Sequence, residues 1–174
     1  MNSPNLDEVD LRLVRALQEN ARRSNKELAA LAGIASSTCS ERIRSLVARG
    51  VLTGFHAAVD HGLLGRGLEA IIAVRLRPQS HAAVDTFREL VLSLPETLTL
   101  FEVTGPNDCL VHVAVGDMHQ LRGLILDRLT HLPEVAEVHT STIYQRTTNH
   151  VLEPLDARPP VHGPSKHGER PSRP

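Results

Sequence analysis

The side chains with the most chemical reach in this sequence crowd into residues 36–49. Ser36, Ser37, Thr38 and Ser45 supply hydroxyls, Arg42, Arg44 and Arg49 supply guanidinium groups, and Glu41 adds a carboxylate. Hydroxyls and guanidinium groups hydrogen-bond to phosphate oxygens and to base edges in double-stranded DNA. Arg22, Arg23 and Lys26 come shortly before them and suit a grip on a phosphate backbone. Arg44 is the candidate for a base contact. Arg42 lies nearer an apolar boundary, where either a phosphate contact or a structural ion pair fits.

Other chemistry is poorly represented. The sequence contains no GxSxG, no phosphate-binding P-loop and no GxGxxG, so no catalytic residues are assigned. Its ten histidines are scattered, with neither HxxxH nor HExxH, so no metal site is expected and no cofactor is implied. Cys39 and Cys109 are far apart and form no CxxC, which fits a reducing compartment. Cys39 reads as a small buried apolar residue rather than a redox sensor. With only three Phe, one Tyr and no Trp, a platform of stacked rings for single strands is excluded. The polar, acidic start does not read as a signal peptide, and no apolar run reaches the roughly 18 residues of a membrane span. A cytoplasmic protein with no membrane partner is expected.

The net charge of −1 taken alone argues against a nucleic-acid binder. It is an average of unlike parts. Residues 12–49 carry eight basic and three acidic groups, residues 61–153 seven and eleven, and residues 154–174 four and two. The basic stretch is the one that holds the hydroxyl–arginine cluster.

The elements that must position this cluster are legible from periodicity and caps. Leu6, Val9, Leu13, Ala16 and Leu17 recur at helical spacing behind Asp7, Glu8 and Asp10, acids that suit a helix start. Ser24 and Glu27 form a capping box that opens a second short helix, and Gly33 closes it. A third helix runs to Arg49 with Gly50 as its stop, burying Cys39, Ile43, Leu46 and Val47. A short helix, a glycine turn and a helix with a polar outer face make a helix-turn-helix, whose second helix enters the major groove. Residues 51–59 alternate loosely, as a strand does.

Residues 67–145 have another rhythm: strands at 69–77, 98–104, 109–115 and about 135–145, with amphipathic helices after the first and third. This is the βαββαβ, ferredoxin-like order. Apolar residues on both sides of its strands, with helices on one side only, predict burial of the second face by another copy of the chain. Six of the eleven prolines fall in residues 154–174, which predicts a disordered tail. The expected organisation is a DNA-binding domain at 1–60, a turn-rich linker at 61–67 that lets the domains reorient, an assembly domain at 68–150 and a tail at 151–174. The fold class is α+β.

The first block resembles the winged helix-turn-helix of the Lrp/AsnC (feast/famine) transcriptional regulators. Leu6, Asp7, Asp10, Leu17, Arg23, Ser24, Glu27, Leu28, Ala29, Thr38, Arg42, Ile43, Leu46, Gly50, Val51 and Gly54 match that family's pattern in order. The second block resembles the family's effector-binding and assembly domain, with its TGxxD loop at residues 104–108. The resemblance implies a sequence-specific DNA-binding regulator that responds to an amino acid or related small molecule. It also implies a homodimer that assembles to a tetramer or octamer. It places the effector near Thr104, Gly105, Asn107 and Asp108, with Thr140, Ser141 and Thr142 close by. These loop residues also suit a plain hairpin turn. Ala35 departs from the pattern: the family has a capping Ser there, and Ala cannot cap unless Ser36 takes over one residue later. A sirohaem decarboxylase built on similar domains is the alternative, and a ligand-binding module without DNA contact ranks below it.

Overall fold

A computed structural model describes residues 5–77 and 80–155 of the chain. They divide into two compact units: residues up to 57 with those from 148 onward, and Ala58–Thr147.

The first unit is built on three helices, α1 (Glu8–Glu19), α2 (Asn25–Ala32) and α3 (Ser36–Ala48). Each begins where the residue chemistry directs. Asp7 caps α1 by accepting the Asp10 N–H at 2.8 Å. Ser24 and Glu27 complete both halves of the capping box on α2. Gly33 ends α2 at φ 71°, a left-handed conformation that costs glycine little and makes the turn into α3 tight. Ala35 is the N-cap of α3 and makes no side-chain bond, so Ser36 does not take over and the helix starts without that stabilisation. Leu13, Ala16, Leu17, Leu28, Ala29, Ala32, Cys39 and Leu46 form the core. Val47, read as part of the apolar stripe, is largely exposed.

Two expectations for this unit are corrected. Residues 51–59 form no strand, and Phe55 and Val59 are each 52% exposed. A strand needs a neighbour for its backbone N–H and C=O groups, and among the described residues no segment pairs with it. The wing read from the sequence is therefore a segment without regular secondary structure here. The tail read as starting at residue 151 instead begins with a docked segment. The Leu152 N–H donates to Gln18 Oε1 at 2.8 Å, Gln18 Nε2 donates to the Leu152 carbonyl at 3.0 Å, and Arg15 pairs with Glu153 at 3.0 Å. Residues 156–174, which hold most of the expected disorder, lie outside the described residues.

The second unit is a four-stranded antiparallel sheet in the order β2-β3-β1-β4, from β1 (Leu68–Leu76), β2 (Thr97–Glu102), β3 (Cys109–Val115) and β4 (Val135–Thr142). The helix α4 (His81–Ser93) connects β1 to β2, and α5 (Met118–Gly123) follows β3. This is the expected βαββαβ order. The last helix changes character midway: Leu124–Leu129 is wound as a π-helix. Leu124 and Leu129, five residues apart, are both buried, and the wider i→i+5 turn brings that spacing onto one face. The helix side of the sheet holds the core, with Ala70, Ile72, Val74 and Leu76 of β1 and Val111, Val113 and Val115 of β3 against Phe87, Val91 and Leu121.

The other face is less apolar than read from the sequence. The register places Ile71, Ala73, Leu110 and Phe101 at its centre, but Glu69, Arg75, Thr99, His112, His139 and Ser141 share it. The segment read as a flexible linker also belongs to this unit. It contains a 3-10 turn, Gly62–Leu64, closed by Gly65 at φ 74°, and it is held by Arg66 donating to the Pro95 carbonyl and by His61 against Glu69. Among the described residues, no helix is long and apolar enough to cross a membrane.

Candidate nucleic-acid interface and ligand site

The exposed face of α3 is held in place from three sides. Its apolar stripe sits on α1 and α2 through Cys39 and Leu46, both fully buried. At its start, Asn25 Nδ2 donates to the Ser36 carbonyl at 2.8 Å, tying the first turn of α2 to the first turn of α3. Along its flank, Arg42 Nη1 lies 2.6 Å from Asp7 Oδ2 and 2.8 Å from Asp10 Oδ1. Arg49 reaches Asp10 Oδ2 at 3.4 Å and donates to the Asn5 carbonyl at 2.7 Å.

These bonds sort residues that look alike in the sequence. Ser36, Ser37, Thr38, Glu41, Arg44 and Ser45 are exposed on α3, and Arg22 and Lys26 are exposed at and just before the start of α2. Arg22, Lys26 and Arg44 have no acidic partner among the described residues; Arg44 Nε donates to the Ser40 carbonyl of its own helix at 3.3 Å. Arg23 pairs with Glu19 at 3.1 Å. Arg42 and Arg49 point to α1. The two possibilities open for Arg42 resolve, in this structure, to the ion pair. The Asp10 backbone N–H and then the Arg42 guanidinium hold the Asp7 carboxyl below the usual carboxylate range, and the two acids push Arg42 up. In the capping box, the Ser24 hydroxyl and backbone N–H likewise hold Glu27 low. Sequence reasoning missed Asn25, Asp7 and Asp10 as parts of the site, although Asp7 and Asp10 were read as helix-start acids and Asn25 lies inside the capping box.

The predicted effector residues fall in two places. Thr104, Gly105 and Asn107 lie in the β2–β3 loop, where Gly105 has φ 128°. Asp108 fastens that loop to the end of β1: its N–H donates to the Val74 carbonyl at 3.0 Å and its Oδ2 accepts the Leu76 N–H at 2.8 Å. Thr140 and Thr142 pair with Ile72 and Ala70, nearer the start of β1 and on the helix side. Val74 and Leu76 are two to six residues from those partners, roughly 7–20 Å along the strand, and β1 lies between β3 and β4 in the sheet. Ser141 pairs with Ile71 and faces the opposite side of the sheet. One chain therefore does not bring loop and strand together. Thr140 and Thr142 instead line a cavity of about 720 Å³ with Met118, His119, Leu121, Arg122, Ile125 and Leu126.

A third polar cluster was not foreseen. Glu69 Oε1 lies 2.8 Å from His61 Nδ1, and its Oε2 lies 2.8 Å from His112 Nε2 and 3.5 Å from Arg146 Nε. Burial pushes the Glu69 carboxyl up, but the bonds from His61 and His112 outweigh it and hold the group low. His61, His112 and Arg146 lie 8 to 77 positions from Glu69 in the chain, and no local pattern joins them. Burial also pushes the Cys109 thiol up to about 11 and raises that of Cys39. Among the described residues no group of three His, Cys, Asp or Glu side chains is placed to hold a metal ion.

A helix-turn-helix with an exposed hydroxyl–arginine face, followed by an antiparallel α+β unit, defines a two-domain DNA-binding regulator. Residues 6–47 match the AsnC-type helix-turn-helix domain, and residues 69–151 match the Lrp/AsnC ligand binding domain. The transcriptional regulator AldR of Mycolicibacterium smegmatis is 34% identical over 140 residues, covering 80% of this chain and 82% of that protein. The transcriptional regulator AzlB of Bacillus subtilis is 30% identical over 151 residues, covering 87% and 96%. A transcriptional regulator of Neisseria meningitidis, solved as a complex with L-methionine, superposes with a TM-score of 0.80 at 28% identity, covering 87% of this chain and 98% of that one. The chain belongs to the Lrp/AsnC family of transcriptional regulators.

Proposed function

We propose that this regulator reads duplex DNA through Ser37, Thr38, Glu41, Arg44 and Ser45 of α3, with Arg22 and Lys26 on the phosphate backbone. The observation that carries this is the sorting of the cations. Arg44 stands on the exposed face without an acidic partner among the described residues, while Arg42 and Arg49 are turned to α1. A duplex selected by the chain from a random pool provides the probe. Arg44→Ala should weaken binding to the selected duplex more than to random DNA, by a factor of about 10 or more. Equal losses on both would make Arg44 a phosphate contact.

The effector is an amino acid or a related small molecule, held by the ligand-binding unit. The β2–β3 loop and Thr140 and Thr142 are too far apart in one chain for a single small ligand to touch both. A site that uses both takes the loop from one protomer and the strand from another, which fits a homodimer that assembles further to a tetramer or octamer. The half-apolar sheet face is the surface offered for pairing. Thermal melts with a panel of amino acids test this: a ligand present at about 100 times its Kd raises stability by about 2.7 kcal/mol. No shift with any amino acid would remove the effector.

We take the chain to be a regulator rather than an enzyme, since AldR, AzlB and the Neisseria protein are transcriptional regulators. A new visible absorption band on adding sirohaem, followed by loss of its carboxylates, would instead support a decarboxylase.

A further inference from the structure

Arg42 of α3 and Arg49, the residue that ends it, converge on two aspartates at the start of α1. Asp10 is nearly buried, its side chain 8% exposed, and it receives both Arg42 and Arg49. Asp7 uses one carboxylate oxygen to cap α1 and the other to hold Arg42. Arg42 and Arg49 are seven residues apart, so they lie on one stripe of α3, roughly 10 Å apart along its axis. Arg44 and Ser37 lie about 200° and 220° around the helix from that stripe.

The apolar contacts of Leu13, Leu17, Cys39 and Leu46 keep α1 and α3 together. Such contacts decide which side of α3 faces inward, but being non-directional they leave its fine rotation to other bonds. Charge-assisted hydrogen bonds are directional. Ala35 leaves the start of α3 without a side-chain cap; among the described residues, the side-chain bond from outside the helix there is that of Asn25. Two guanidinium groups of one stripe are thus gripped two turns apart.

We propose that Asp7 and Asp10 are positioning residues for DNA reading: through Arg42 and Arg49 they set the rotation of α3, and they withhold both arginines from the phosphate backbone. This rests on the reading of α3 as the recognition helix.

The test uses the full chain, a duplex that the wild type enriches from a random pool, and a random duplex of equal length, each titrated over a range of salt. Asp10→Asn and Arg42→Gln should each lower the ratio of selected to random affinity by about tenfold, the scale of misreading one base pair. Arg42→Gln and Arg49→Gln should leave the slope of log K against log salt unchanged. Should Asp10→Asn fail to fold, Asp7→Asn serves instead. Asn caps a helix as well as Asp, so this variant keeps the cap while removing the charge and the second oxygen that holds Arg42, and it should lower the ratio with helix content retained. The proposal is overturned if Arg42→Gln and Arg49→Gln each flatten the salt slope by about 0.9, the signature of a lost phosphate contact. It is overturned equally if the aspartate variants leave the ratio unchanged. Failure of the wild type to enrich any duplex would be a different result, removing the recognition helix itself.

Discussion

The two units of this chain organise their chemistry in opposite ways. In the helical unit the candidate contact residues lie within 28 positions of one another, from Arg22 to Arg49, and caps and turns set the helices that carry them. In the sheet unit the candidate ligand residues come from a loop and a strand that register places at different corners, and Glu69 gathers partners from three separate segments. Local signals assemble the first site. Strand pairing and, in the proposed reading, a second protomer assemble the other.

The widest break of this comparison is in the two cores. Leu46→Ala in the fully buried centre of the helical unit should cost about 2–5 kcal/mol, as Ile72→Ala should in the sheet. Calorimetry of the full chain separates the outcomes. If the units are organised independently, each variant lowers a different transition; a single transition lowered by both would deny the contrast.

The next test concerns Glu69. Its carboxyl is held below its ordinary value in the folded state. A depressed value means the ionised form stabilises the fold above the unfolded-state pKa, and that contribution is lost as pH falls through the folded value. Wild type should therefore be more stable than Glu69→Gln at neutral pH, and the difference should shrink as pH falls below the ordinary Glu value of about 4.3. A difference that persists unchanged into acid would mean that the carboxylate charge is not what His61, His112 and Arg146 use.

Smaller effects probe the local signals. Ser24→Ala removes one half of the capping box and should destabilise the helical unit by about 1 kcal/mol. The reverse change at α3, Ala35→Ser, supplies the missing cap and should stabilise by about 0.5–1 kcal/mol. Chemical denaturation reads both; no gain from Ala35→Ser would show that local geometry there does not favour a cap. Finally, Cys109 with a thiol pushed up to about 11 should resist alkylation at pH 8 in the folded chain and react on unfolding. Rapid labelling of the native protein would place this residue in a more open setting.

Much of the fold was legible because its signals are short-range. The Ser24–Glu27 box, Gly33 and Gly50 delimit the helices, and periods of two and near four distinguish strands from helices over residues 68–142. The strand expected at residues 51–59 was not formed, since alternation marks a segment able to pair but does not provide its partner. The π-wound turn at Leu124–Leu129 was also hidden, because apolar residues spaced at 121, 125, 129 and 132 read as an unbroken α-helix. Leu152 and Glu153 stand beside a proline-rich stretch, and composition averages over residues that dock individually.

The sequence by itself determined the helix-turn-helix, the βαββαβ order and the family, because helix caps, side-chain periodicity and motif spacing act within a few residues. Tertiary structure alone decided which cations of α3 face outward. Arg42, Arg44 and Arg49 are equivalent in composition and nearly so in propensity. What separates them is the placement of Asp7 and Asp10, some 30 to 40 residues away, where burial and charge make one pairing favourable and leave Arg44 outside it.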